Sequence, residues 1–318
     1  MTIVITVTLP VFAIIFAGWL AGRTGLLGRD GSVALNQFVY AFALPALLIV
    51  SLTEAPLAEI INLPFLAAFA GGVAIVYTIA ALTAMIRRQP GQAIAMQGLN
   101  ASFANTGYMG IPLFIALVGE SSLAPVIIAT VFMSSVMIAV GVATLEAFTG
   151  GGKSVLIIAR DIALALVKNP LLIASAIGIT LALIQVVLPE PIERFCRLLG
   201  AAAGPCALFA IGLFLAGQKL TEGLGEAIWL SVLKLLVQPL ATWWLIVQFI
   251  PLEPFWQASA LVLAALPTGA LTFVVAQRYN AHVGATSAVI FVSTLISIIS
   301  LSILLIYLAP VFQQAMTG

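Results

Sequence analysis

The sequence predicts an all-α polytopic membrane protein of ten transmembrane helices, arranged as two inverted five-helix repeats in which the fourth and ninth helices are broken. Three observations predict it. Of 318 residues, 63% are hydrophobic and only 7% charged, with a mean hydropathy of +1.22, against about a quarter charged in a soluble domain. The apolar stretches repeatedly reach the roughly 20 residues that cross about 30 Å of hydrocarbon as helix, where a barrel would show alternating segments of about ten. The chain also repeats itself. At an offset of 160 residues Pro10 matches Pro170, Gly18 matches Gly178 and Pro45 matches Pro205; at an offset of 162, Thr106 and Gly107 of "NTGYMG" match Thr268 and Gly269 of "PTGALT".

Apolar runs bounded by charges, prolines and glycines place the spans at about 3–22, 33–52, 64–86, 92–118, 123–148, 162–188, 198–217, 227–250, 255–277 and 283–309. The first, "MTIVITVTLPVF", has no basic stretch before its apolar run, so it reads as a spanning helix and not a cleaved signal. Arg23, Arg29, Arg87, Arg88, Lys153, Arg160, Lys168, Lys219 and Arg278 fall on one side of these spans, against Arg194 and Arg197 on the other. The positive-inside rule then makes both termini non-cytoplasmic in a multi-pass protein of the cytoplasmic (inner) membrane. Five helices per repeat is an odd number, so the second copy (160–318) starts from the opposite face to the first (1–150). Inverted repeats of this kind are typical of secondary transporters, whose sites lie at the midplane and are formed by broken helices.

The fourth span carries Asn105, Thr106 and Gly107 near its middle, followed by Gly110 and Pro112; the ninth carries Pro267, Thr268 and Gly269 within "ALPTGALTF". Proline removes a backbone donor and clashes with the preceding turn, and glycine opens conformations closed to other residues. Unwinding frees N–H groups at the start of one half-helix and C=O groups at the end of the other, with partial positive charge on the first, a natural place for an anion. The Asn105 carboxamide can bind a carboxylate directly or hold the unwound backbone in shape. The competing reading is a packing kink, since glycine and proline are common in membrane helices; two breaks at matching repeat positions favour a shared site. Asn105, Thr106, Gly107, Pro267, Thr268 and Gly269 are therefore the substrate-binding candidates. Asn100 either faces the same cavity or bonds to a neighbouring helix.

Intramembrane charges are functional candidates by default, and here they are Glu146 and Lys234, both candidates for coupling unless they snorkel to the interface. Gln238 and Pro239 give the eighth span a polar, bent section. Ser293, Ser297 and Ser300 share a face of the tenth span, and Thr130, Ser134 and Gly141 a face of the fifth; such stripes are packing material in membranes or cavity lining. Asn100, Tyr108, Pro112, Thr272, Ser134, Ser293 and Ser297 are the candidate cavity-lining residues. Trp229, Trp243, Trp244 and Trp256 suggest interfacial anchors. Cys196 and Cys206 read as packing residues, and one histidine, His282, cannot hold a metal alone, so no metal or cofactor is expected. Net charge of +1 gives no electrostatic pointer to nucleic acid. There is no HExxH and no acid pair at depth, so a membrane enzyme is disfavoured, and "GGGKS" is only superficially like a phosphate-binding loop.

"NTGYMGIPL" in the fourth span, "ALPTGALTFVVAQRYN" followed by "SAVIF", and "KNPLLIASAIGI" opening the sixth resemble the auxin efflux carrier family, which includes the plant PIN auxin exporters and many bacterial organic-acid permeases. The resemblance covers all ten predicted spans. It implies the fold of the bile-acid sodium symporters, with the fourth and ninth helices crossing at their breaks. It also implies a scaffold (1–60 plus 162–220), often dimeric, and a transport domain (64–148 plus 226–310) that moves like an elevator. By the same resemblance the substrate carboxylate binds at Asn105. The sequence departs from the plant carriers in its short link around "TGGGKS" and in having Thr268 and Thr272 where they have glutamine and a second proline. "AALPTGALTF" also lacks the acid that helps bind sodium in the bile-acid relatives. The expected function is secondary active or facilitative transport of a small organic anion, with membrane lipid and a second copy, through the scaffold helices, as further partners. The alternatives are a sodium-coupled carrier, or a channel or ligand-sensing protein on the same fold.

Overall fold

Hydrocarbon offers no partner to backbone N–H and C=O groups, so apolar runs must satisfy them internally and fold as helix. The computed structural model describes residues 4–54, 62–119, 122–149, 155–218 and 223–317. Lys153, Lys219 and "GGGKS" lie outside these residues, as does the side chain of Arg29. Among the described residues seven helices are long and apolar enough to cross a membrane: Thr6–Arg23, Asp30–Glu54, Leu63–Ile86, Ala124–Phe148, Glu190–Ala216, Leu224–Gln248 and Val283–Gln314. Three shorter apolar helices accompany them, Thr106–Val118, Pro170–Leu183 and Pro254–Ala264.

In chain order the α-helical elements are α1 (Leu9–Arg23), α2 (Arg29–Phe38), α3 (Leu44–Glu54), α4 (Leu63–Ile86), α5 (Gly91–Ser102), α6 (Ile111–Val118), α7 (Ala124–Phe132), α8 (Ile138–Thr149), α9 (Val155–Val167), α10 (Pro170–Leu183), α11 (Glu190–Ala201), α12 (Ala203–Ala216), α13 (Leu224–Val232), α14 (Gln238–Gln248), α15 (Pro254–Ala264), α16 (Leu271–Tyr279) and α17 (Val283–Thr317). Single π-helical turns join α2 to α3 (Val39–Ala43), α7 to α8 (Met133–Met137) and α13 to α14 (Leu233–Val237), and precede α1 (Val4–Thr8) and α6 (Thr106–Gly110). Four of these five turns end two residues before a proline: Pro10, Pro45, Pro112 and Pro239. A proline ring clashes with the carbonyl four residues back and offers it no N–H. Widening the preceding turn by one residue moves that carbonyl aside. The N–H groups of Leu44, Ile111 and Gln238 accordingly reach five residues back, to the carbonyls of Val39, Thr106 and Leu233.

Small residues set the closest helix approaches, as expected where packing and not hydrophobicity drives association. α1 and α12 touch backbone to backbone: a Cβ on Gly18 would lie 2.1 Å from the Phe209 carbonyl oxygen, and one on Gly212 2.0 Å from that of Ile15. α10 meets α3 in a similar way, Gly178 against Leu52. α4 packs on α5 and on α14, with Gly72 against Thr242. Phe65 stacks on Phe69 and meets Trp256 edge to face at 5.2 Å. Trp256 is therefore buried in this aromatic core, while Trp243 and Trp244 face outward, about half exposed.

Several boundaries differ from those read in the sequence. The segment expected as one span at 162–188 is two helices, α9 and α10, because Asn169 caps a new helix, its Oδ1 accepting the Leu171 N–H at 2.9 Å, and Pro170 starts it. The seventh span, expected from 198, is helical from Glu190: the charges that read as a loop pair along and across the helix, Arg197 with Glu193 one turn back at 2.8 Å and with Glu54 at the end of α3. The last helix runs through Pro310 to Thr317 instead of stopping near 309. The runs at 92–118 and 255–277 are each interrupted, at 103–105 and at 265–270.

Candidate functional site

The two interruptions meet. α5 ends at Ser102, and Phe103 is extended, at φ −77° and ψ 101°. Asn105, at φ −78° and ψ 58°, has the dihedrals of an inverse γ-turn, which the Thr106 N–H closes onto the Ala104 carbonyl at 2.9 Å. The Asn105 carbonyl then accepts the N–H groups of Met109 and Gly110 at 3.2 and 3.0 Å, starting the π turn ahead of α6. On the other chain segment α15 stops at Ala264 and α16 starts at Leu271. Ala104 and Thr268 form an antiparallel bridge, flanked by Asn105 N–H to the Pro267 carbonyl at 2.9 Å and Gly269 N–H to the Phe103 carbonyl at 3.0 Å. Backbone that leaves the helix at membrane depth has to find partners in protein; each break supplies them to the other. The approach needs glycine at 269, where a Cβ would stand 2.8 Å from the Phe103 ring.

Beside this crossing lies a cavity of about 20 Å³, lined by Asn105, Thr106, Gly107, Tyr108, Ser134 and Gly269 among others, with Ala270 and Leu271 completing the wall. That volume suits a single water. Several donors on its lining residues are uncommitted. The N–H groups of Gly107 and Tyr108, opening Thr106–Val118, and of Ala270 and Leu271, opening α16, have no acceptor among the described residues. Asn105 is buried and its carboxamide makes no hydrogen bond among them either. Among the described residues no acid lines the cavity. The lining thus includes N–H donors at two half-helix starts, where the helix dipole adds partial positive charge.

The remaining candidates stand behind this wall. Asn100 donates to Thr286 Oγ1 on α17 at 2.9 Å, its Oδ1 is buried without a partner, and its carbonyl accepts Thr268 Oγ1 at 2.8 Å. The Thr268 N–H goes to Ser293 Oγ at 3.1 Å, and Thr272 Oγ1 turns back to the Gly269 carbonyl at 3.0 Å. Ser297 bonds within its own helix, to the Thr294 carbonyl at 2.7 Å. Pro267 contributes its carbonyl, and Pro112 packs against Gly204 of α12. Tyr108 reaches out of the crossing to donate to the Asn36 carbonyl at 3.3 Å. Of the two membrane charges, Lys234 donates to the Ala264 carbonyl at 2.7 Å, and Glu146 accepts the Tyr279 hydroxyl at 3.1 Å.

A second cavity, of about 240 Å³, adjoins the first and shares Ser134 and Leu271 with it. Its walls are apolar, with Ile138, Val142, Val274 and Val275, and it carries two exposed cations, Lys168 and Arg278. Asn169, which sequence reading passed over, stands at the junction. Besides capping α10, it accepts the Tyr40 hydroxyl at 3.2 Å and donates to the Ser134 carbonyl at 3.0 Å, tying the start of α10 to the π turn after α7. The signal was present as an Asn-Pro pair before an apolar run, a helix-start pattern.

Comparison with known proteins agrees with a carrier. Residues 3–305 match the family described as membrane transport protein. A candidate malonate transporter of Rhizobium meliloti (strain 1021) is 30% identical over 300 residues, 93% of each chain. An uncharacterized transporter of Escherichia coli (strain K12) is 28% identical over 295 residues, 90% of this chain and 92% of that one. Auxin efflux carrier component 3 of Arabidopsis thaliana is 31% identical over 139 residues, 42% of this chain and 22% of the carrier. With a whole-length family match and a relative of this identity over nearly all of both chains, the chain belongs to the membrane transport protein family, that of the auxin efflux carriers.

Proposed function

We propose that this transporter carries small carboxylates across the cytoplasmic membrane by exposing the crossing alternately to its two sides. One observation carries the reading: one cavity is lined by two half-helix starts with uncommitted N–H groups and by Asn105 with its unbonded carboxamide, and by no acid among the described residues. An anion is the occupant such donors favour. A relative named as a candidate malonate transporter supports a small organic acid as cargo. Asn105, Thr106 and Gly107, with the N–H groups of Tyr108, Ala270 and Leu271, touch the anion; Gly269, Thr268, Pro267, Asn100, Thr272 and Ser293 hold the backbone that presents them.

A cavity of about 20 Å³ has no room for a carboxylate with its carbon skeleton, so binding requires the crossing to move away from its neighbours. The adjoining 240 Å³ cavity, with Lys168 and Arg278 at hand to attract an anion, is the route on the cytoplasmic side under the positive-inside rule. That rule keeps both termini outside. Taking each interrupted run as one crossing, together with Pro170–Leu183 and the seven long helices, gives ten crossings in two sets of five. The close pairs of α1 with α12 and α3 with α10 belong to a scaffold (1–60 plus 162–220), through which two copies pair. The crossing belongs to the transport unit (64–148 plus 226–310), which slides against that scaffold.

The test is counterflow in proteoliposomes, with labelled malonate and a panel of mono- and dicarboxylates as competitors. A carrier exchanges label with saturation, and Asn105→Ala loses the exchange while keeping its melting temperature. Flux that does not saturate, or an unchanged Asn105→Ala, overturns the reading.

A further inference from the structure

Lys234 is a basic side chain that the anion site does not use. It lies in the π turn Leu233–Val237, is 0% exposed, and donates from Nζ to the carbonyl oxygen of Ala264 at 2.7 Å. Ala264 closes α15, so its carbonyl is one of the unpaired acceptors at a half-helix end. The Thr268 N–H, its partner had the helix continued, goes to Ser293 instead. Half-helix ends of this kind are where transporters place a coupling cation.

Among the described residues no acid lies on the neighbouring helices that pack against this lysine. Among the helices packed on its turn, α5 and α15 carry no titratable side chain, α4 carries Tyr77, bound to Thr144 at 2.8 Å, and α17 carries Tyr307, which is exposed. On its own helix Glu226 is held by His282 at 2.7 Å, and Trp229 lies under the guanidinium of Arg87. One turn past Lys234, Gln238 is 0% exposed with both ends of its carboxamide unpartnered. The hydroxyls of Ser231, Thr242 and Ser259 are likewise buried without partners. The lysine thus has unpartnered polar side chains within a turn on its own helix, Ser231 before it and Gln238 after it, and no acid on the described neighbouring helices packed against it.

An ammonium without a counter-charge is costly in hydrocarbon. The negative charge that the fold can bring near is a carboxylate at the crossing, since Ala264 stands three residues before Pro267. Resting on the carboxylate site proposed above, we propose that Lys234 takes up a proton when the anion binds and releases it when the anion leaves, so that the carrier moves carboxylate and proton together. The proton comes from water on the side of entry, stays on Nζ during the crossing, and is lost to water on the side of exit. Gln238 Oε1 is a ready second acceptor for the ammonium. By reciprocity, the anion tightens proton binding by the factor that the proton tightens anion binding.

The test uses the purified full chain in weakly buffered detergent, with malonate as probe and a pH-indicator dye. The wild type takes up about one proton per malonate bound, and its affinity falls about tenfold per pH unit on the alkaline limb. Lys234→Arg, whose guanidinium keeps its proton throughout, binds malonate with no proton uptake and a flat pH profile. Lys234→Met, a second variant of similar volume, binds more weakly and also without uptake. Malonate binding by the wild type without protons, or unchanged uptake in either variant, overturns the inference and leaves the carboxylate site standing. Failure of malonate and of a panel of mono- and dicarboxylates to bind at all defeats the site itself, and the inference with it.

Discussion

The two breaks that cross at the centre of this transporter differ in what they do with their polar groups. In the break at 103–105, Asn105 commits its backbone to Pro267 and to the turn that follows, and leaves its carboxamide free toward the cavity. In the break at 265–270 the side chains are committed, since Thr268 bonds through its hydroxyl as well as its N–H and Thr272 closes onto Gly269, and Lys234 takes the Ala264 carbonyl; the N–H groups of Ala270 and Leu271 stay without an acceptor among the described residues. Two breaks at matching places in the sequence thus divide the work. Both present backbone N–H groups, but the first adds an uncommitted side chain, whereas the second uses its side chains to lock the geometry. A buried hydrogen bond that is satisfied stiffens its surroundings, whereas an unsatisfied donor is held in reserve for a ligand.

Three substitutions can break that contrast. Asn105→Ala has the largest expected effect, a loss of about 1.5–3 kcal/mol of anion binding, the range of a hydrogen bond to a charged group, read as at least a tenfold drop in malonate affinity with the melting temperature held. Thr268→Val comes next: the Asn100 carbonyl, buried, loses its donor, and the protein is destabilised by about 1–3 kcal/mol, read by thermal unfolding in detergent, with anion affinity less affected. Were Thr268→Val to erase binding at unchanged stability, the division of labour would be wrong. Thr272→Val is the mildest, about 0.5–1.5 kcal/mol of stability, because its hydroxyl bonds only locally, to Gly269.

The contrast was half legible in the sequence. Asparagine, threonine, glycine and proline inside an apolar run name both breaks, because they recur at matching positions of the two repeats, which a packing kink does not require. The side to which Thr268 and Thr272 turn could not be read, since it depends on the register of α16 against α5 and α17. Asn169 and Tyr40 were passed over for a related reason: each gains its meaning from a helix distant in sequence. The charges from Glu190 to Arg197 misled in the opposite direction, since they suggested a loop where an ion pair with Glu54 completes a helix. The prolines at 112 and 239 were visible as a break and a bend, but the wider turns ahead of them follow from backbone geometry that composition does not encode.

Those wide turns have a mechanical consequence. Each holds one residue more than an ordinary turn, which amounts to a reserve of chain stored inside an otherwise regular rod. If the bulge migrates by a turn, the residues it passes rotate by about 100°, the angle of one residue, with no loop lengthening and the helix on either side keeping its place. Tyr108 sits in one such turn, Ser134 in another and Lys234 in a third. The side chains that meet the cavities and the membrane charge are thus mounted on pivots already loosened by a proline or, for Ser134, by the turn alone.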